Sequence, residues 1–213
     1  MWRNGKILTR YVKYENNQFQ YCEQNANEEL LAIADKLPIT RELNTKHFTT
    51  DYISEINLNN REFIQVLARN LSQGCIIIID YGYSESEYYS ITRNRGTIRG
   101  FLKQHQLDDV LCYPGLIDIT ASVDFTALVV SAIDAGLDLV GYTTQANFLV
   151  NCGILGLLEH AGSDSSYLMQ TNQVNYLTSP NEMGDVFKVI GLSKNIDFVD
   201  WMGFSVGEKS YTL

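Results

Sequence analysis

No two of the 15 glycines in this sequence stand one residue apart. There is therefore no GxG, which excludes both a G-x-G-x-x-G dinucleotide loop and a Walker phosphate loop. There is no G-x-S-x-G elbow, so a hydrolase triad has no support. The three histidines, His47, His105 and His160, are far apart, and none stands at helical spacing from a second ligand. No metal-ligand pattern results. Cysteine is sparse. Cys22, Cys75, Cys112 and Cys152 are widely spaced, with no CxxC pair. That excludes a disulfide scaffold and points to a reducing compartment, the cytoplasm or an organelle matrix. Cys75 and Cys152 stand in apolar runs and read as buried thiols.

Cations are also few, 16 Lys+Arg against 25 Asp+Glu for a formal charge of -9. The balance argues against a broad nucleic-acid or anionic-membrane surface, because phosphate contact needs clustered cations. The opening MWRNGKILTR has no long apolar core, so no secretory signal is expected. The longest uncharged stretch, Leu139 to Leu158, is interrupted by Thr143, Thr144, Gln145, Asn147 and Asn151. It reads as a strand and a helix, not as a membrane span.

What remains is a globular chain of 213 residues, 45% of them hydrophobic. That is enough for one large domain or two small ones with a core that needs no staples. Residues 1–50 read as a small β-hairpin and helix segment. Ile7–Tyr14 and Gln18–Tyr21 flank Glu15-Asn16-Asn17, a hairpin signal. A helix over Asn27–Leu37 is expected to stop at Pro38. Residues 51–213 alternate strands and helices, hence α/β. Tyr52–Ile56 is extended. Asn59 is expected to cap a helix through about Leu71, closed by Gly74. Cys75–Ile79 shows no alternation and is expected to be a parallel strand buried on both faces. A polar loop, Ser84–Arg95, leads to a short strand in Gly96–Gly100. Asp124–Ala135 is helical, with Gly136 as its stop. Leu137–Tyr142 is a strand, and helices follow at Gln145–Val150, Ile154–His160 and Ser165–Leu177. Asp185–Leu192 is a further strand, with Phe198–Met202 as its neighbour.

Polar residues cluster with little periodic reason at Asp80-Tyr81-Gly82 and between Arg99 and Gln145. In open α/β sheets ligands bind beyond the carboxyl ends of the strands, which is where Asp80 and Gly82 fall. Arg99, His105, Asp118, Thr120, Asp124 and Gln145 complete the candidate substrate-side set. Each has a local reading beside the functional one. Asp118, Thr120 or Asp124 can cap a helix, and Arg99 can pair with an acid. Asp80 can close an Asx turn, and Tyr81 and Tyr83 can be packing residues. Spacing alone favours the local readings. Ser84–Ser90, with Tyr88 and Tyr89, admits a mobile aromatic lid, although a solvent-exposed loop is the simpler reading.

Several segments together resemble one known family. They are Ile79-Asp80-Tyr81-Gly82-Tyr83, Gly96-Thr97-Ile98-Arg99, His105, Pro114-Gly115 and, most densely, Asp118 through Leu128. Ala135-Gly136-Leu137, Thr144-Gln145, Phe148-Leu149, Gly153-Ile154 and Met183 through Val189 also fit. The sequence resembles the C-terminal part of the MidA-like methyltransferases, the family of the mitochondrial complex I assembly protein-arginine methyltransferase and its bacterial relatives. The resemblance implies a class I, Rossmann-like methyltransferase sheet with a small β/helical insertion, and S-adenosyl-L-methionine as cofactor. It implies methyl transfer to a protein arginine, with carboxylates such as Asp80, Asp118 and Asp124 orienting the cation. Family members carry a glycine-rich cofactor loop upstream of the matched region. The resemblance therefore implies that this chain lacks that loop and does not hold the cofactor tightly alone. A partner is expected, a second copy or a missing N-terminal half, because a parallel sheet without its central strands leaves an apolar edge open. The alternatives are a non-catalytic protein-binding or assembly module and a truncated, inactive fragment.

Overall fold

A computed structural model describes residues 1–45, 51–107, 109–160, 164–196 and 200–213. In chain order the elements are β1 (Trp2–Arg3), β2 (Lys6–Glu15), β3 (Gln18–Asn25), α1 (Glu28–Ala34), α2 (Pro38–Thr45), α3 (Asn60–Asn70), β4 (Gly74–Tyr83) and α4 (Glu85–Tyr88). They continue with β5 (Arg99–Leu102), β6 (His105–Leu107), β7 (Asp118–Thr120), β8 (Val123–Asp124), α5 (Phe125–Asp134), β9 (Asp138–Thr144), α6 (Gln145–Asn151), α7 (Asp164–Thr178) and β10 (Phe187–Lys194). Short 3-10 helices cover Ile154–His160, Met202–Phe204 and Ser210–Thr212. His47 and Phe198 lie outside the described residues, as does the side chain of His160.

The chain divides into two compact units. One comprises residues 1–56 and 85–122, the other 57–84 and 123–213. In the first unit, β1, β2 and β3 form an antiparallel sheet. The β2–β3 turn is Asn16-Asn17, both at positive φ (52° and 60°), the two-residue turn that matches strand twist. The first helix is shorter than its sequence pattern. Asn27 caps it through a hydrogen bond from Leu30 N–H, and it ends at Ala34. Pro38 then opens α2 instead of only ending α1, because proline costs nothing at a first helical position, where the N–H has no partner. The ring of Tyr52 packs edge-on against Trp2 at 5.5 Å. A second small sheet runs in the order β6-β5-β7.

The second unit holds the main sheet, ordered β8-β4-β10-β9. β10 is antiparallel to both β4 and β9, so those two run parallel with a reversed strand between them. β8 adds two residues parallel to the end of β4. On one face, Ile64 and Ala68 of α3 and Phe125, Leu128, Val129 and Ala132 of α5 pack over Ile190 and Leu192. On the other, Phe204 lies so close over Gly141 and Gly191 that a Cβ on either would stand 2.6–2.8 Å from its ring.

Several expectations are corrected here. The fully buried strand is β10, not Cys75–Ile79. Along β4 exposure alternates, and Ile77 and Ile79 are each 47% exposed. The cause is position: β10 is central, whereas β4 is covered on one face only. Cys75 is exposed for the same reason, and Cys152, at the C-cap of α6, is exposed too. Gly74 does not cap α3, whose C-cap is the extended Leu71; Gly74 begins β4. Residues 84–95 are not an exposed loop. They contain α4, with Tyr88 and Tyr89 buried. The start of the expected strand neighbour Phe198–Met202 lies outside the described residues; of its remainder, Met202 begins a 3-10 turn through Phe204, and β4 and β9 already pair with β10 on both sides.

Candidate functional site

The sequence candidates separate into two groups, one in each unit. In the second unit, the carboxyl ends of β4 and β9 lie at the same end of the sheet. Lys188 on β10 is in register with Asp80 on one side and Thr144 on the other. At ~4.8 Å per strand, the backbones of Asp80 and Thr144 are about 10 Å apart across this row. Gly82 pairs with Val123 and Tyr83 with Asp124, so Asp124 joins the same end. Gln145 follows Thr144 directly and begins α6.

Most of these residues have a local partner. The Asp80 carboxylate accepts from the N–H of Tyr81 at 2.8 Å. The Tyr81 ring meets Phe187 edge-on at 5.7 Å. Gly82 is a close-approach glycine, since a Cβ would stand 2.3 Å from the carbonyl oxygen of Val123. Asp124 caps α5 by accepting from Ala127 N–H at 3.0 Å. Gln145 is buried and donates to the carbonyl of Leu177 at 2.9 Å, tying α6 to the end of α7.

In the first unit, Arg99 pairs in register with Thr120, and Phe101 with Asp118. Side chains two apart share a face of a strand, so Arg99, Asp118 and Thr120 share one face of this sheet. His105, paired with Leu102, falls on the other face. The Arg99 guanidinium donates to the carbonyls of Ile98 (2.7 Å) and Gly96 (3.4 Å), not to an acid. Asp118 and His105 are exposed and make no side-chain hydrogen bond among the described residues. The Thr120 hydroxyl likewise has no side-chain hydrogen bond among the described residues, so these three are the polar candidates left without a local task.

The sequence reading missed Glu55. Its Oε2 accepts from the N–H (2.9 Å) and hydroxyl (3.1 Å) of Thr97 and from the Tyr88 hydroxyl (3.4 Å). The Tyr89 hydroxyl donates to the Glu55 carbonyl at 3.1 Å. Glu55 thus holds the segment that leads into Arg99. Nothing in local sequence marks it, because its partners lie more than 30 residues away. Two further groups are perturbed nearby in the chain. Burial pushes the Tyr52 phenol up to about 12, and the Arg3 guanidinium, hydrogen-bonded to Asp51, holds that carboxyl below its ordinary value.

No described glycine offers an open cradle for a nucleotide. Where a Cβ would collide, at Gly82, Gly96, Gly141, Gly184, Gly191, Gly203 and Gly207, the protein's own atoms fill the space. Gly5, Gly115, Gly136, Gly153 and Gly156 have nothing within 4 Å of such a Cβ. Among the described residues no three of His, Cys, Asp and Glu gather as a metal site, and no helix is long and apolar enough to cross a membrane.

With this geometry in place, comparison with known proteins identifies the fold family. The zebrafish (Danio rerio) mitochondrial protein arginine methyltransferase NDUFAF7 is 35% identical over 130 residues, covering 59% of this chain and 29% of the relative. The human protein is 33% identical over 126 residues, covering 57% and 26%. Among solved structures, a COG1565 superfamily member from Burkholderia thailandensis bound to S-adenosyl-homocysteine superposes with a TM-score of 0.89 at 33% identity. That match covers 99% of this chain and 53% of the other. The chain thus spans about half the length of the solved relative and under a third of these curated ones. The mixed α/β sheet is accordingly the Rossmann-like class I methyltransferase fold. A family model described as "Putative S-adenosyl-L-methionine-dependent methyltransferase" matches residues 1–143, and the chain belongs to that family.

Proposed function

We propose that this chain forms the acceptor-side part of an S-adenosylmethionine-dependent methyltransferase and that the acceptor is a protein arginine. The observation that carries the reading is the reversed β10 between parallel β4 and β9, with Asp80, Asp124 and Gln145 gathered at the strand ends, in a chain of this family. The curated relatives named above are protein arginine methyltransferases, which supports arginine as the acceptor. When bound, the cofactor supplies an electrophilic methyl group. The described glycines do not fit it, since none of them forms a cradle into which its backbone could approach a nucleotide.

The chain's own contribution is to bind and orient a cation. Asp118 is an exposed carboxylate with no local partner, suited to a bidentate contact with a guanidinium. Asp80 offers a carboxylate at the strand end. Arg99 and Thr120, on the same sheet face as Asp118, belong to this reading as its neighbours, whereas His105 lies on the opposite face and takes no part in that contact; in the other unit Tyr81, Gly82, Asp124 and Gln145 shape the strand ends. The acidic balance of the chain favours a basic acceptor over nucleic acid. Residues 1–50 are read as a β-hairpin and helix excursion, and residues 51–213 as the partial methyltransferase domain with its insertion. The compartment is the cytoplasm or the mitochondrial matrix, the latter in line with the relatives' names. The partner that completes the protein is a second copy or an N-terminal half.

The test is transfer of labelled methyl from S-adenosylmethionine to arginine-containing and lysine-containing peptides, with the chain alone and together with the remaining segment of the solved relative. Arginine-specific transfer by the combined sample supports the reading. Transfer to lysine instead, or to neither peptide, overturns it.

A further inference from the structure

The first unit holds a cleft that the methyltransferase reading does not use. It measures about 350 Å³ and lies among β1, β2, the end of β3, α1 and α2. That is about a dozen water volumes, too large for one ion and at the small end for an organic ligand. Its buried and half-buried lining is mostly apolar, from the Trp2 ring, Ile7, Ala26 and Leu31. Thr40 also lies there, but its hydroxyl is spent on the Ala34 carbonyl at 2.6 Å. The exposed lining is polar and comes from Lys6, Asn25, Asp35 and Asn44.

Five polar groups on this cleft have no task within the chain. The side chains of Lys6, Asn25, Asp35 and Asn44 make no hydrogen bond or ion pair among the described residues. The fifth group is the indole N–H of Trp2. The Trp2 ring is 8% exposed and is held edge-on by Tyr52, and its Nε1 is buried without an acceptor. A buried donor left alone is costly, and native proteins supply the missing acceptor with solvent, an ion or a ligand.

The charges narrow the ligand. Lys6 and Asp35 line one cleft and do not pair with each other. A simple anion would answer Lys6 and leave the Asp35 carboxylate alone. A simple cation would do the reverse. A zwitterion answers both, and its carboxylate is also the kind of acceptor that Trp2 lacks. The apolar lining calls for a hydrocarbon group on the same molecule.

We propose that this cleft binds a free apolar α-amino acid. The carboxylate lies against Lys6 and the Trp2 N–H, the ammonium against Asp35, and the side chain on Ile7 and Leu31. Asn25 and Asn44 supply further donors and acceptors at the mouth. The site is separate from methyl transfer and does not depend on that reading.

The experiment titrates the full chain with L-leucine and follows the indole N–H resonances of its two tryptophans, Trp2 and Trp201, by nitrogen-correlated NMR. The variant Trp201→Phe assigns them. The expected result is a saturable downfield shift of the Trp2 resonance in the millimolar range or tighter, with Trp201 unmoved. Lys6→Met and Asp35→Asn should each weaken binding about tenfold, the loss of one charge-assisted contact. Both should keep the wild-type thermal midpoint, because both side chains are exposed. Isoamylamine, which is leucine without its carboxylate, and isocaproate, which is leucine without its ammonium, should each bind about tenfold more weakly than leucine. Absence of a saturable Trp2 shift overturns the proposal. So does wild-type affinity in either charge variant. Equal binding of either single-charge analogue also overturns it, since the cleft would then be a simple ion site.

Discussion

Glu55 holds Thr97 twice, accepting from its backbone N–H at 2.9 Å and from its hydroxyl at 3.1 Å with the same Oε2 atom. Gly96, at φ +72°, makes this possible, because a Cβ there would stand 2.0 Å from Glu55 Oε1. The turn before Arg99 is therefore built around a carboxylate. Gly96→Ala combines a left-handed backbone with a collision and is expected to destabilise the protein by about 1–3 kcal/mol. Glu55→Ala, which leaves the Thr97 donors without their acceptor, is expected to cost about 1–3 kcal/mol. Urea denaturation measures both. If both variants retain wild-type midpoints, Glu55 does not organise the segment.

Gly82 makes the corresponding test in the second unit. It pairs with Val123, and its Cα approaches that strand and the Phe125 ring, with a Cβ placed 2.3 and 2.7 Å from them. Backbone cannot yield as a flexible side chain can. Gly82→Ala is expected to cost about 1–3 kcal/mol by overpacking, with the shift seen in the thermal midpoint. An unchanged midpoint would mean that β8 relaxes freely and that Gly82 has some other reason to be there.

These two glycines also mark the limit of what the sequence reveals. Local chemistry was readable. Asn16-Asn17 turns the hairpin, Asp124 caps a helix, and alternating strands and helices identify the α/β class, although Asn59, expected to cap α3, stands at its N-cap without a side-chain hydrogen bond. Position within the sheet was not. Cys75–Ile79 and the start of β10 differ in apolarity in the wrong direction, because burial depends on which strand ends up central. Glu55 was invisible for a related reason, since its task is set by Thr97 and Tyr88, whose approach is a property of the folded chain. At the candidate site the local readings explain Asp80, Tyr81, Gly82, Asp124 and Gln145, and the family resemblance rests partly on structural residues.

Asp118 is where the proposed acceptor contact can be tested apart from stability. It is exposed and has no hydrogen-bonded side-chain partner among the described residues. Asp118→Asn should leave the thermal midpoint unchanged and lower kcat/KM for an arginine peptide about tenfold to a hundredfold, the loss of one charge-assisted contact. Asp124→Ala should do the reverse, with a cost of about 1 kcal/mol in stability from the lost cap. The assay is methyl transfer with the remaining segment of the solved relative present. Wild-type kinetics for Asp118→Asn would make it an ordinary surface charge.

Tyr52 predicts an alkaline limit to stability. Burial pushes its phenol up to about 12, against an ordinary value of 10.0. The folded state therefore favours the neutral phenol, and the unfolded chain releases that proton first as pH rises. By linkage, the stability that goes with the raised value is fully present below pH 10 and is lost as pH climbs from about 10 to about 12. Tyr52→Phe keeps the edge contact with Trp2, seen at 5.5 Å, and removes the titration. Urea midpoints measured from pH 9 to 12 should fall more steeply for the wild-type protein than for Tyr52→Phe. The two curves should run parallel below pH 10, offset only by the loss of the long 3.4 Å hydrogen bond to the Ser90 carbonyl. Equal slopes above pH 10 would mean that the phenol ionises in the folded protein as it does in water.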